Sequence, residues 1–231
     1  MSVLTTLKRM FGHRRAELVA CVIGLACGWA LSLQLNSDSL SAPPPAEESG
    51  AEIILMEEGF SLQDLQEAFI KDLATEFRID PYIVRLVHEQ SLRQVDQQAS
   101  EWRLLRTPES VTYLLLSVIH AESRGNPNAV GDNGRARGLT QIWVSTARRY
   151  GEVSAEELLD PAVNVRFAFE HFRYLLKRYN GNFSLALYGW NRGPGTVDRL
   201  IRYGKSPANG YGKKVYQAAI DRAEEVQMMG N

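Results

Sequence analysis

Cysteine is nearly missing from this chain: there are two in 231 residues, Cys21 and Cys27, both inside an apolar stretch near the N-terminus. The remainder has no thiol with which to build a disulfide or bind zinc. An excess of either charge is also missing. Lysine and arginine number 26 against 27 aspartates and glutamates, a net charge of −1, so bulk electrostatics offers a nucleic acid no attraction. The HExxH string is absent as well, because His88-Glu89 has no second histidine four positions after the first. That removes the zinc-peptidase pattern, and neither a metal nor a cofactor is expected. What remains is 231 residues, 45% hydrophobic, enough to bury one sizeable core but not two.

Lys8, Arg9, Arg14 and Arg15 precede an apolar run from Leu18 to Leu35 in which Ser32 and Gln34 are the clearly polar residues. As a helix rising about 1.5 Å per residue this run reaches about 27 Å, just enough to cross a bilayer. The basic flank should stay in the cytoplasm, with the rest of the chain carried outward. Residues 1–35 are thus expected to be a single-pass anchor, with the remainder on the periplasmic face of the cytoplasmic membrane. A cleaved signal peptide is the competing reading, since the core is short and Ala26, Gly28 and Ala30 are small. Lipid attachment at Cys21 or Cys27 fits less well: Arg15 and Glu17 interrupt the run before Cys21, and an atypical glycine, Gly24, precedes Cys27. Residues 36–52, rich in serine and proline and without periodicity, read as an extended tether.

From Ser61 the pattern turns helical. Ser61 and Asp64 have capping-box spacing, and Leu62, Leu65, Phe69, Leu73 and Phe77 make one apolar face. Asp80-Pro81 starts a second helix through Ile83, Leu86 and Val87, with a continuation toward Leu104. Residues 53–106 are read as a helical extension, a platform packed against the domain that follows.

Residues 107–231 carry the chemistry. Thr107 reads as an N-cap, Pro108 as the first helical residue, and Glu109 puts negative charge in the first turn. Val111, Leu114, Leu115, Val118, Ile119 and Glu122 then recur at spacings of three and four, so Glu122 continues a buried stripe. A carboxylate there is either paired or protonated. Desolvation raises its pKa toward the range useful to a general acid. The alternative is structural: Glu122 accepts hydrogen bonds from the loop or pairs with Arg124, Arg135 or Arg137.

Glu122-Ser123, Asn126-Pro127, Ala129-Val130, the GLTQI string from Gly138 to Ile142 and the WNRGPG string from Trp190 to Gly195 together resemble the lytic transglycosylases of the goose-type-lysozyme-like (SLT domain) family. That family has a Glu-Ser ending a helix, a proline five residues after the Glu, a Gly-Leu-Met-Gln turn, an Ala-Tyr-Asn-Ala-Gly-Pro-Gly segment and a late tyrosine before a final helix. The resemblance covers about half the chain, from Pro108 to Tyr216. Asp80-Pro81 also resembles the start of the family's catalytic helix, but Glu89 is out of step with it and lacks the downstream Asn-Pro and Gly-Leu turn.

The resemblance implies a mainly α, lysozyme-like fold and a single-carboxylate reaction on peptidoglycan. Glu122 would protonate the glycosidic oxygen between N-acetylmuramic acid and N-acetylglucosamine. It would then take a proton from the muramoyl 6-hydroxyl as that oxygen closes a 1,6-anhydro ring. Ordinary glycosidases use two carboxylates. Asp132 is the candidate second one, but in Gly131-Asp132-Asn133-Gly134 an aspartate also serves as a turn former.

Further site residues follow from the same resemblance. Ser123 matches a serine that contacts the sugar, against a local role in hydrogen bonding at the helix end. Gly138 lets backbone pass close to the sugar, and Gln141 offers a donor and an acceptor to acetamido and hydroxyl groups. Thr140 stands where the family has methionine, at the floor of one subsite. Trp190 replaces the usual tyrosine, keeping a flat stacking face but losing a hydroxyl, while Asn191, Gly193, Pro194 and Gly195 agree with the family. The missing hydroxyl must come from Tyr188 or Tyr211, either of which also fits core packing, and Tyr211 matches the late tyrosine. Asp160-Pro161 and Asn164 read as caps.

A small hairpin is expected between Gly131 and Gln141, and helices over Asn164 to Tyr179, Phe183 to Leu187 and Tyr211 to Val226. Arg192, Arg199, Arg202, Lys205, Lys213 and Lys214 give a basic side, suited to the carboxylates of peptide stems or simply solvated. The expected partners are glycan strands and the membrane, with a secretion apparatus or a virion membrane as the setting. A hydrolytic muramidase and a non-catalytic wall-binding scaffold are the alternatives.

Overall fold

Ser61 opens helix α1 (Leu62–Phe77) with a complete capping box: its Oγ accepts from the Asp64 amide at 3.1 Å, and its own amide donates to Asp64 Oδ2 at 2.8 Å. Arg78 ends α1 in the left-handed conformation at φ 55°. Asp80 then starts α2 (Pro81–Asp96), its carboxylate accepting from the Tyr82 amide at 2.8 Å. The computed structural model describes residues 61–96, 108–211 and 215. The expected anchor, the tether, Thr107, the continuation toward Leu104, Lys213, Lys214 and most of the expected Tyr211–Val226 helix lie outside the described residues. Among the described residues no helix is long and apolar enough to cross a membrane.

Helix α3 (Pro108–Ser123) is the axis of the fold. Val111, Leu114, Leu115, Leu116, Val118 and Ile119 are each at most 1% exposed, and Ser110, Thr112 and Ser117 are buried beside them. The helix is therefore covered nearly all round, not on one stripe. Each fully buried leucine contributes about 2 kcal/mol of hydrophobic stabilisation. Buried side chains of α1, α2, α3, α5 (Pro161–Arg178) and α6 (Phe183–Arg192) form one continuous cluster, so the first two helices share the core of the domain that follows.

His88 belongs to that core. It is 2% exposed, packs on Phe69 with ring centroids 5.0 Å apart, and sits 3.1 Å from Thr112 Oγ1. The Thr112 hydroxyl gives its proton to the Pro108 carbonyl at 2.7 Å, so His88 Nδ1 must be the donor to Thr112. Burial pushes the His88 pKa down to about 4, which keeps the ring neutral at neutral pH.

After α3 the chain reverses through Arg124 and Gly125, both at positive φ. A Cβ on Gly125 would meet Ile79 Cγ1 at 2.9 Å, so the reversal packs directly on the α1–α2 junction. A three-stranded antiparallel sheet follows: β1 (Val130–Gly131), β2 (Ala136–Arg137) and β3 (Ile142–Trp143), in the order β1-β2-β3. Ala136 pairs with Gly131 on one side and Trp143 on the other. The sheet thus runs one strand past the expected hairpin. A short helix, α4 (Val144–Ala147), leads into a second, smaller cluster of Ile142, Ala147, Val153, Leu158 and Phe167.

Asp160 caps α5, accepting from the Val163 amide at 2.9 Å with Pro161 at the first helical position. Asn182 caps α6 in the same way. Helix α6 reaches Arg192, beyond the expected end at Leu187. Gly193, at φ 78°, breaks the helix, and Pro194 opens α7 (Pro194–Arg202). The Gly-Pro-Gly string is therefore a joint between two helices, and α7 was not anticipated. Its signal was Val197, Leu200 and Ile201 at helical spacing after a proline suited to a first turn. Asp198 of α7 pairs with Arg178 of α5, and the Tyr179 hydroxyl lies 3.1 Å from Asp198 and 3.2 Å from the Pro194 carbonyl.

Candidate active site

Glu122 occupies the last turn of α3, where the helix rises out of the core. Burial is the main influence on its carboxyl and raises the pKa; the Asp132 charge pushes it further the same way. The carbonyl end of the helix adds to this, being the negative end of its dipole. The Tyr211 hydroxyl, then the Trp190 indole N–H, pull in the opposite direction. None of Arg124, Arg135 and Arg137 acts on it. Arg124 faces solvent, Arg135 and Arg137 donate to the Asp132 and Ala136 carbonyls, and the structural pairing is not formed.

Two separate pieces of chain thus meet at Glu122, the end of α6 at Trp190 and the segment at Tyr211, while the charge of Asp132 is felt there through space. The Tyr211 hydroxyl is buried with no hydrogen bond of normal length among the described residues, yet Glu122 is its electrostatic partner and, with burial, pushes its pKa up. The contact is a close approach, not a formed bond. Ligand-free sites commonly hold such pairs long until substrate draws them together. Tyr188 is half-buried against the main core. Asn191 is exposed and accepts from Asn209 Nδ2 at 2.8 Å.

The turn between β2 and β3 is built for close packing. Gly138 stands at φ +69°, and a Cβ there would lie 2.3 Å from both Asn164 Nδ2 and the Leu158 carbonyl, so only glycine fits. Its crowded side is therefore turned toward Asn164 and Leu158. Gln141, at φ 49°, spends its amide protons inside the turn, donating to the carbonyls of Ala129 at 3.1 Å and Gly138 at 2.9 Å. Ser123 Oγ donates to the Ile119 carbonyl at 3.3 Å, which is the local helix-end role.

Two sequence expectations change here. Thr140, expected at a subsite floor, is 1% exposed; its hydroxyl and amide both donate to Asn164 Oδ1, at 2.8 and 3.0 Å, so it braces the turn from within. Asn164 is not a cap. It lies one turn inside α5, fully buried, and its Nδ2 donates to the carbonyls of Leu158 at 2.7 Å and Arg137 at 2.9 Å. One amide side chain thus satisfies four groups on three segments, the polar closure that a buried loop demands.

Behind Trp190 lies a group the sequence did not mark. His171, 6% exposed, stands with its ring centroid 5.2 Å from the indole, and its Nδ1 is 2.8 Å from the Tyr150 hydroxyl. Burial, and secondarily Arg149, push its pKa down to about 4. It is a neutral ring that fixes the indole from behind. A lone histidine inside an amphipathic helix gives no sequence signal of that role. Asp132 was marked, but its partner was not: Trp143 Nε1 donates to Asp132 Oδ2 at 2.8 Å.

Among protein families, residues 103–210 match the model described as the Transglycosylase SLT domain. Among solved structures, the chain is similar to the 70 kDa soluble lytic transglycosylase of Escherichia coli, with 17% identity and a TM-score of 0.38 over 99% of this chain and 44% of that one. The chain therefore spans less than half the length of that protein.

Proposed function

We propose that this chain, whose residues 103–210 match the Transglycosylase SLT domain model, cleaves the β-1,4 bond between N-acetylmuramic acid and N-acetylglucosamine in peptidoglycan, with Glu122 as sole acid and base. The observation that supports this most directly is the Glu122 carboxyl, raised by burial and faced by two donors, Tyr211 and Trp190. Burial favours the protonated form needed at the start. The donors favour the carboxylate left after the proton has gone to the glycosidic oxygen.

Atoms balance without water. The acid proton goes to the leaving 4-oxygen of N-acetylglucosamine as the C1–O bond breaks. The muramoyl 6-hydroxyl oxygen attacks C1 and gives its proton to the Glu122 carboxylate, which restores the acid. A nucleophile already attached to the substrate supplies the effective molarity that a bound water lacks. Asp132, the candidate second carboxylate for hydrolysis, is engaged by the Trp143 indole, which favours the single-carboxylate route. Mass spectrometry of muropeptides released from sacculi by the full chain tests this. Anhydromuramoyl ends are expected; reducing ends would mean hydrolysis, and no release would mean a scaffold.

Tyr211→Phe removes a donor that favours the charged form of Glu122, so the Glu122 pKa should rise further. Activity that requires the protonated acid then persists to higher pH, and the alkaline limb of the kcat/KM profile should move up. A downward shift would sink this role for Tyr211.

The same reading puts the domain outside the cytoplasmic membrane, anchored by residues 1–35 and tethered by residues 36–52. Full-length protein should stay in the membrane pellet after alkaline carbonate washing; release into the supernatant would contradict an uncleaved anchor.

A further inference from the structure

We propose that Trp143 is a stacking platform for an N-acetylhexosamine ring of the glycan strand, a subsite built by the turn that carries Asp132 and Arg135 in the sheet following the Glu122 helix. The inference rests on the glycan-cleaving reading of Glu122 and adds a residue and a ligand surface to it.

Trp143 is 40% exposed at the end of β3. An exposed indole usually tumbles among rotamers. This one is fixed at its edge by the hydrogen bond to Asp132 Oδ2 at 2.8 Å and on its ring by the Arg135 guanidinium, 4.6 Å from the centroid. Arg135 is itself tied back, its Nε donating to the Asp132 carbonyl at 3.1 Å. Asp132 and Asn133 both hold left-handed conformations, φ 49° and 54°, which aspartate and asparagine adopt more readily than other non-glycine residues. The turn therefore holds a large apolar ring in water in one orientation, which lowers the conformational entropy lost when a ligand stacks on it.

The location fits the ligand. Asp132, which grips the indole from the turn between β1 and β2, and Trp143, in β3, both belong to the three-stranded sheet segment that directly follows the Glu122 helix, so the platform is carried by the first segment the chain forms after the Glu122 carboxylate. A pyranose has an apolar C–H face and a polar rim. With the guanidinium over one face of the indole, the sugar's apolar face would meet the other, and its hydroxyl and acetamido groups match the free lone pairs of Asp132 at the indole edge.

The test measures binding of the N-acetylglucosamine tetramer by titration calorimetry, and muropeptide release from sacculi, with the full chain and its Trp143→Ala and Trp143→Phe variants. Trp143→Ala should weaken tetramer binding about tenfold, the size of a lost stacking contact, and raise KM with little change in kcat. Trp143→Phe, which keeps a ring but loses the N–H, should retain most of the affinity. Unmodified tetramer binding in Trp143→Ala alongside normal cleavage by the wild type would overturn the platform and leave the activity standing. Equal loss in both variants would also overturn it, by assigning the effect to the Asp132 tie. A wild type that neither binds nor cleaves glycan would overturn the activity reading itself.

Discussion

Glu122→Gln should reduce muropeptide release by at least about a thousandfold while making the folded protein more resistant to heat. General acid–base catalysis contributes about 10²–10⁴ to a rate, and here one group performs both transfers, so the loss belongs at the upper end. The stability gain follows from the raised pKa of Glu122. Below its unfolded value, near 4.5, the group is protonated in both states and costs nothing. As pH rises, the unfolded chain ionises first and gains hydration that the buried carboxyl lacks, so the folded state loses relative stability until the pH passes the folded pKa. Glutamine removes that loss. The variant should therefore melt higher than the wild type at pH 7, with the difference vanishing near pH 4. Thermal melts at both pH values and release assays on sacculi check the two halves together. Lost activity with a lowered melting temperature would point to a structural carboxylate instead.

Asn164→Ala should be the most damaging single change to stability, costing about 3–5 kcal/mol. The substitution leaves the amide and hydroxyl of Thr140 and the carbonyls of Arg137 and Leu158 without their partner, in a site that water does not reach. Asn164→Asp is no rescue: it restores the acceptor but sets a carboxylate against two carbonyls. Asp160→Ala, a few residues away, removes only a helix cap and should cost about 1 kcal/mol. Urea melts of the three variants rank them. If Asn164→Ala falls with Asp160→Ala, the four-bond closure is not what holds the turn. Activity should fall with stability in Asn164→Ala, because the Gly138–Gln141 turn that it braces sits between the strand bearing Trp143 and the strand following Asp132.

Much of this was legible in the chain. The capping box at Ser61, the proline starts of α2, α3 and α5, and the spacing that carried Glu122 on the stripe of α3 depend on contacts within a turn or two of helix, so local sequence states them directly. The order of the Glu-Ser, Gly-Leu and Gly-Pro-Gly strings pointed to one site. Which way each side chain turned was another matter. Thr140 and Asn164 are 24 residues apart, and nothing short-range tells a threonine in a glycine turn whether it meets a sugar or a buried amide. The sequence alone determined α1, α2, α3 and α5, the carboxylate and the turn that follows it. The packing of α5 on α2 and of α6 on α5 decided the rest: it brought Trp190 to Glu122, set His171 behind it, buried Thr140 on Asn164 and left Trp143 in water. Those contacts join distant segments, and side chains there satisfy whatever polar group or cavity the assembled helices present.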